Sequence, residues 1–332
     1  MRPQNPHFEV RPSLIIGDTA DVYLHRTQRI LRNEGINPTV TMEFSSTQAA
    51  ILCGTEEVRA VLERVTSVGN REVWAVEEGR EVADGEVCLS VRAPYSSFGL
   101  YETAICGILA DSTGWATAAN DLVRAANGIP MVSVGAHNVH PSVAPIMDYS
   151  AVVGGCESVS TVLGNKLSNT VPIATVSGAL LQLMGDPGKA AAAFDRSVAP
   201  DIPRVAYVDP RGDVVAQTVA IAHLMKDRLD AVRLARTPGA TPIPLEAIKQ
   251  VREQLDAIGA NRVEIILSGP MTPQRIKDLV DAKAPVDVFH DSGYIAAAAS
   301  VPFRPNIRNI NDLPVQQESE PPPPNPHLMR LL

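Results

Sequence analysis

From Glu102 onward the chain alternates helical and strand patterns in a rhythm that few folds accommodate. A helix over Glu102–Asn127 precedes a strand-like run at Ile129–Val134. Further apolar runs follow at Val171–Val176, Val205–Val208, Ala231–Leu234, Val263–Leu267 and Val286–Phe289. Helical spacing separates most of them, at Val214–Lys226, Pro244–Ile258 and Thr272–Ala282. Strand and helix alternating at this spacing predict βαβ units and a parallel sheet. With about six or seven such units, an α/β barrel is the natural closure.

Residues 1–101 have a different texture. Helical patterns at Asp21–Asn33 and Glu57–Val65 mix with short β-rich runs at Thr39–Glu43, Val73–Val76 and Glu86–Val91. The 332 residues are enough for two cores, which sets the expected division: an N-terminal domain over 1–101 and a barrel over 102–300. After Pro302 the pattern stops, leaving a return segment (301–317) and a Pro-rich tail (318–332) that contains Pro321–Pro324.

Several classes of function drop out early. The net charge of −8 argues against nucleic acid as the main partner, since phosphate-backbone binding needs a clustered positive field. No run of eighteen apolar residues exists to span a membrane, and MRPQNPHFEVRP has no apolar signal core. The four cysteines, Cys53, Cys88, Cys106 and Cys156, are widely spaced and read as reduced thiols, with no metal site expected. A cytoplasmic protein fits these features.

Several stretches resemble nicotinate phosphoribosyltransferases, in the family's order. GDTADVYLHRTQRIL (Gly17–Leu31) resembles the opening motif, and APYSSFGLYETAICGILADSTGWATAA (Ala93–Ala119) the entry to the barrel. GAHNVHPSVAPIMDYSAVVGGCESVSTVLGNKL (Gly135–Leu167) continues the match, followed by RVAYVDPRGD, AVRLA, EIILSGPMT and PVDVFHDSGYI. The resemblance covers roughly residues 13–300. It implies the type II phosphoribosyltransferase fold: an N-terminal α/β sandwich packed on an irregular α/β barrel, in an oligomer whose neighbouring subunit helps complete the site. The implied reaction joins nicotinate to phosphoribosyl pyrophosphate, aided by ATP, magnesium and a histidine that becomes phosphorylated.

Most of the positions that carry this chemistry have changed. Where the family reads G-A-R-H-x-H-P, this chain has Gly135, Ala136, His137, Asn138, Val139, His140 and Pro141, so a permanent cation has become an imidazole. The family's phospho-acceptor histidine aligns with Gly178, and the aspartate of its R-L-D motif with Ala235. Asp209 keeps a matching place, although Pro210 after it suggests a helix cap or loop residue. The two glycine-rich phosphate loops read Ser268–Gly269–Pro270 and Phe289–His290–Asp291–Ser292–Gly293. Proline removes an N–H donor, and an aspartate beside a phosphate repels it by roughly 1–4 kcal/mol. Tyr23, Arg26, Tyr95, Glu102, Lys166, Ser268 and Gly269 still match.

These changes predict a catalytically inactive homologue with a binding or scaffolding role and no cofactor. The competing reading is an active phosphoribosyltransferase, or one with a changed substrate, that uses ATP and magnesium. There Arg211, Arg236 or Lys166 supply the missing cations, and His137 or His290 the missing histidine. A homo-oligomer is expected under both. The tail ends in Leu328, Met329, Leu331 and Leu332, which are apolar enough to dock. A groove on another subunit or partner protein is one destination, and the tail's own domain the other.

Overall fold

The computed structural model describes residues 6–236, 241–316 and 325–332. The chain opens with α1 (Pro12–Ile15), α2 (Val22–Asn33), β1 (Thr39–Ser46), β2 (Ala50–Ile51) and α3 (Thr55–Val65). Then come β3 (Glu72–Ala75), β4 (Glu81–Val82), β5 (Val87–Pro94) and α4 (Tyr95–Phe98). The long α5 (Glu102–Ala126) leads into β6 (Met131–Ser133), α6 (Ala144–Val153), β7 (Ser158–Val159), α7 (Val162–Ser168), α8 (Gly178–Met184) and α9 (Pro187–Ser197). Four strands and three helices alternate next: β8 (Val205–Val208), α10 (Val214–Met225), β9 (Ala231–Ala235), α11 (Leu245–Ala257), β10 (Glu264–Gly269), α12 (Pro273–Asp281) and β11 (Val288–Asp291). The chain closes with β12 (Phe303–Ile310), β13 (Leu313–Pro314) and β14 (Met329–Arg330).

The first sheet runs β13-β12-β1-β5-β3-β14 and so gathers strands from both ends of the chain. Its strands pair antiparallel, and β1 buries every second residue (Val40, Met42, Phe44, Ser46), as a sheet with one covered face requires. The covering elements are α3 and α5, whose Val58, Leu62, Ile105 and Leu109 join that core. The helix α5 passes so close to the return segment that a Cβ at Gly114 would stand 2.3 Å from the Ala299 carbonyl oxygen. Only glycine fits there.

The second sheet is parallel, in the order β7-β6-β11-β10-β9-β8. Alternation sorts its residues. Ala206, Val208, Val232, Leu234, Ile265, Leu267 and Phe289 face the helices in one large core, while Val205, Ala231, Ile266, Ala174 and Val288 fill the barrel interior. This is the mixed α/β architecture expected from the resemblance. Its irregularity lies between β7 and β8, where the apolar run Val171–Val176 makes no ladder. Pro172 has no N–H to give, and the segment is held instead by contacts such as Ser158 Oγ to the Val171 carbonyl (2.6 Å).

Two expectations for the C-terminal part are corrected. The pattern does not stop at Pro302, because β12 pairs with β1 over seven residue pairs. Nor does the apolar end reach out to a partner. Met329 and Arg330 pair with Ala75 and Trp74 of β3, the Leu331 N–H donates to the Val73 carbonyl (2.7 Å), and Leu328, Leu331 and Leu332 pack on the first core. The edge of β3 offers unpaired N–H and C=O groups, which this segment satisfies. The polyproline expectation for Pro321–Pro324 lies outside the described residues.

A buried polar knot ties the two halves together. Gly54, at φ +99°, turns the chain into α3, and the Glu78 carboxylate accepts from the N–H groups of Gly54 (2.7 Å) and Glu56 (3.0 Å). Tyr149 of α6 donates its phenol to the other Glu78 oxygen at 2.6 Å, and Phe8 packs edge-on against the Tyr149 ring. Burial pushes the Glu78 carboxyl above its ordinary value.

Candidate functional site

The inward positions of the barrel strands form layers. The parallel register sets Tyr207, Arg233, Ile266 and Val288 side by side, and one step toward the carboxyl ends come Ala235, Ser268 and His290. Arg233 is the unusual member, a cation inside a parallel strand between Val232 and Leu234. Its guanidinium donates to Ser268 Oγ (3.0 Å), lies 3.5 Å from Thr175 Oγ1, and stands 5.1 Å from the centre of the Tyr207 ring. No carboxylate pairs with it among the described residues, and its buried Nε has no hydrogen-bond partner. Desolvation lowers the Arg233 pKa from its ordinary value.

His290 follows from the same geometry. It is 4% exposed, and its Nδ1 has no partner. Burial, and then the nearby Arg233 charge, press its pKa down to about 3, so the imidazole is neutral at physiological pH. Ser268 is also buried.

Asp291 ends β11 and is completely buried. Its Oδ1 accepts from the N–H groups of Met271 (3.3 Å), Gly293 (3.2 Å) and Tyr294 (3.0 Å), and its Oδ2 from that of Ile295 (3.0 Å). The sequence suggested a charge directed at a ligand. The structure turns that charge into the protein's own backbone, because a buried carboxylate needs donors and two loops supply them.

Around the mouth, the other expected residues scatter. Gly178 begins α8, and a Cβ there would meet nothing nearer than Tyr207 Oη at 3.6 Å. Pro270 is exposed at the loop tip. Gly269 lies at φ +153° with the Arg236 carbonyl oxygen 3.3 Å from where a Cβ would stand. Asp209 is not a helix cap, since Asp213 caps α10; it is held by Arg211 in a two-pronged pair (3.0 and 2.7 Å), which lowers its pKa. Arg236 donates to the Pro210 carbonyl, and its Nε is buried without a partner. Asn138 donates to the Ser292 carbonyl (2.5 Å) and so joins the site's wall. His137 and His140 are exposed, with His140 Nδ1 accepting from the Ser142 N–H. Lys166 is exposed on α7.

Tyr23, Tyr95 and Glu102 form a separate group at the start of α2, α4 and α5. Burial raises the pKa of all three, with Glu102 adding to the rise at both tyrosines. Arg26 is exposed on α2, whose face also shows Val22, Tyr23 and Ile30. Sequence reasoning missed Tyr207 and the side chain of Arg233. The available signal was a charge at an inward position of an otherwise apolar strand.

Comparisons with known proteins agree with this geometry. A family model described as the N-terminal domain of quinolinate phosphoribosyl transferase matches residues 21–113. The chain is 28% identical over 253 residues to the nicotinate phosphoribosyltransferase pncB1 of Mycobacterium tuberculosis, covering 73% of this chain and 54% of that protein. Against pncB2 of the same organism it is 27% identical over 233 residues, covering 70% and 49%. The chain thus spans about half the length of the curated relatives it matches. Among solved structures, nicotinate-nucleotide pyrophosphorylase from Pyrococcus furiosus matches with a TM-score of 0.84 at 32% identity, covering 95% of this chain and 80% of that one. Human nicotinic acid phosphoribosyltransferase matches at 0.68 and 14% identity, covering 90% and 76%, a likeness of fold alone.

Proposed function

The chain belongs to the nicotinate phosphoribosyltransferase family and has its type II phosphoribosyltransferase fold, and we propose that it is a non-catalytic member whose barrel binds a small anionic ligand. One observation carries this reading: Arg233 stands inside the barrel beside Ala235, a cation without the carboxylate that the resemblance expects next to it. Without a carboxylate at 235, the ribose hydroxyls or magnesium lose their protein partner, and the guanidinium is left for a ligand. The remaining residues do not fit magnesium and ATP. Asp209 is taken by Arg211, Asp291 by backbone donors, and position 178 offers no histidine. Arg211 and Arg236 are themselves engaged, by Asp209 and the Pro210 carbonyl, and so do not replace the missing cations.

The test supplies nicotinate, phosphoribosyl pyrophosphate, ATP and magnesium and measures nicotinate mononucleotide. No product above a protein-free blank is expected. Gly178→His should give none either, although the site has room for the side chain. Turnover by the unmodified protein would end the non-catalytic reading. Calorimetry with nicotinate alone tests the binding half, where heat is expected from the natural chain and none from Arg233→Met. We also propose a homo-oligomer, supported by the exposed apolar residues Ile16, Val22, Tyr23, Ile30 and Ile36. Light scattering that gives a monomer at micromolar concentration would rule this out.

A further inference from the structure

The loops after β10 and β11 aim four backbone N–H groups at one point, and that point holds a side chain of the protein itself. The donors come from two separate loops, Met271 on one and Gly293, Tyr294 and Ile295 on the other, at 3.0–3.3 Å from the Asp291 oxygens. Convergent N–H groups of this kind make a concave anion site whatever anion fills it. A second feature marks the same loop. His290 and Ser292, the two neighbours of Asp291, are 4% and 8% exposed, and His290 Nδ1 and Ser292 Oγ have no partner. The loop therefore holds more hydrogen-bonding capacity than the chain uses.

We propose that Asp291 acts as a built-in ligand: its carboxylate fills an oxyanion site formed by two loops, keeps free phosphate out, and leaves a site for a tetrahedral oxyanion when it is removed. This rests on the non-catalytic reading, because a protein that must hold a phosphorylated substrate there could not keep its own carboxylate in that place. Deleting the side chain vacates a volume close to that of an inorganic phosphate. It also leaves four buried N–H groups unsatisfied, which an oxyanion would repair. Access runs past Gly293, where a Cβ would have Asn138 Nδ2 and Pro270 Cβ at 3.9 and 4.0 Å, so that side of the loop is loosely packed.

The test compares the unmodified protein with Asp291→Gly and Asp291→Asn, using inorganic phosphate as the probe and chloride at matched ionic strength as the control. Calorimetry and thermal melting are both read. Phosphate should bind Asp291→Gly at least about tenfold more tightly than the unmodified chain and raise its melting temperature, with chloride doing neither. Sulfate should behave like phosphate. Asp291→Asn should gain little, because its amide N–H groups face the same donors. If Asp291→Gly does not fold in phosphate-free buffer, it should regain near-ultraviolet dichroism in phosphate. Staying unfolded there overturns the proposal, as does a folded variant with no gain, or equal phosphate binding by the unmodified protein. Nicotinate mononucleotide formation by the unmodified chain would instead refute the non-catalytic reading, so the two failures are distinguishable.

Discussion

The molecule has two buried polar clusters, and they are built on opposite terms. Around Glu78 each carboxylate oxygen has a donor: Gly54 and Glu56 N–H on one, the Tyr149 phenol on the other. Around Arg233 and His290, the guanidinium Nε and the imidazole Nδ1 have none. Buried polar groups are nearly always paired in folded proteins, so a satisfied cluster reads as architecture and an unsatisfied one as a place kept for something else. The first joins α3, α6 and the segment around Phe8. The second sits at the carboxyl ends of parallel strands, where barrel sites form.

The largest effect should come from breaking the satisfied cluster. Glu78→Ala leaves two amides and a buried phenol without a partner, and a loss of about 3–5 kcal/mol in denaturant unfolding is expected. A loss under about 1 kcal/mol would mean that the cluster is not the joint described here. Next comes the terminal strand. Removing residues 325–332 strips Leu328, Leu331 and Leu332 from the first core, at a cost of about 2–4 kcal/mol. Unchanged stability together with an altered assembly state would revive docking on a second subunit.

How far the sequence revealed this contrast varies along the chain. The strands β8 to β11 were readable because residues buried on both faces leave continuous apolar runs. Helices α6 to α9 were missed for the opposite reason. The helix α6 is buried from Met147 to Val152 and so shows no amphipathic stripe, while α8 and α9 are short and built from small residues. The strand β12 hid behind FRPNIRNI, whose proline and arginines belong to a half-exposed strand. The resemblance marked Gly178, Ala235 and Asp291 as changed positions. It could not say where the Asp291 carboxylate turns, since that depends on loop torsions and on Met271, twenty residues away. Glu78 went unnoticed because its partners lie at 54, 56 and 149, and no local pattern connects them.

Within the unsatisfied cluster, Arg233→Met should separate stability from binding. Replacing a largely desolvated, unpaired cation with an apolar side chain of similar length should leave stability within about 1 kcal/mol or raise it. Carboxylate binding should weaken at least about tenfold. A variant several kcal/mol less stable would place Arg233 with Glu78 as architecture.

The smallest effect concerns His290 and appears only as a function of pH. The folded imidazole, pressed to about 3, stays neutral where an unfolded histidine takes up a proton. Between pH 6.5 and about 3 the unfolded state therefore binds more protons. Stability falls as pH drops through that window, by at most roughly 1.4 kcal/mol per unit, and His290 contributes no pH dependence above it. Two buried carboxyls work in the other direction. Burial raises Asp148 to about 6 and Glu57 to about 7, so each favours the folded state increasingly as pH falls toward the ordinary carboxyl range. The unmodified protein's pH curve is thus a sum of opposing slopes. Subtracting the His290→Asn curve from it isolates the histidine, because Asn has no titration of its own. The difference should be flat above pH 6.5 and decline below it. A flat difference down to pH 4 would mean that folded His290 takes up a proton as readily as the unfolded residue, and that its Nδ1 is already satisfied, by water or another group.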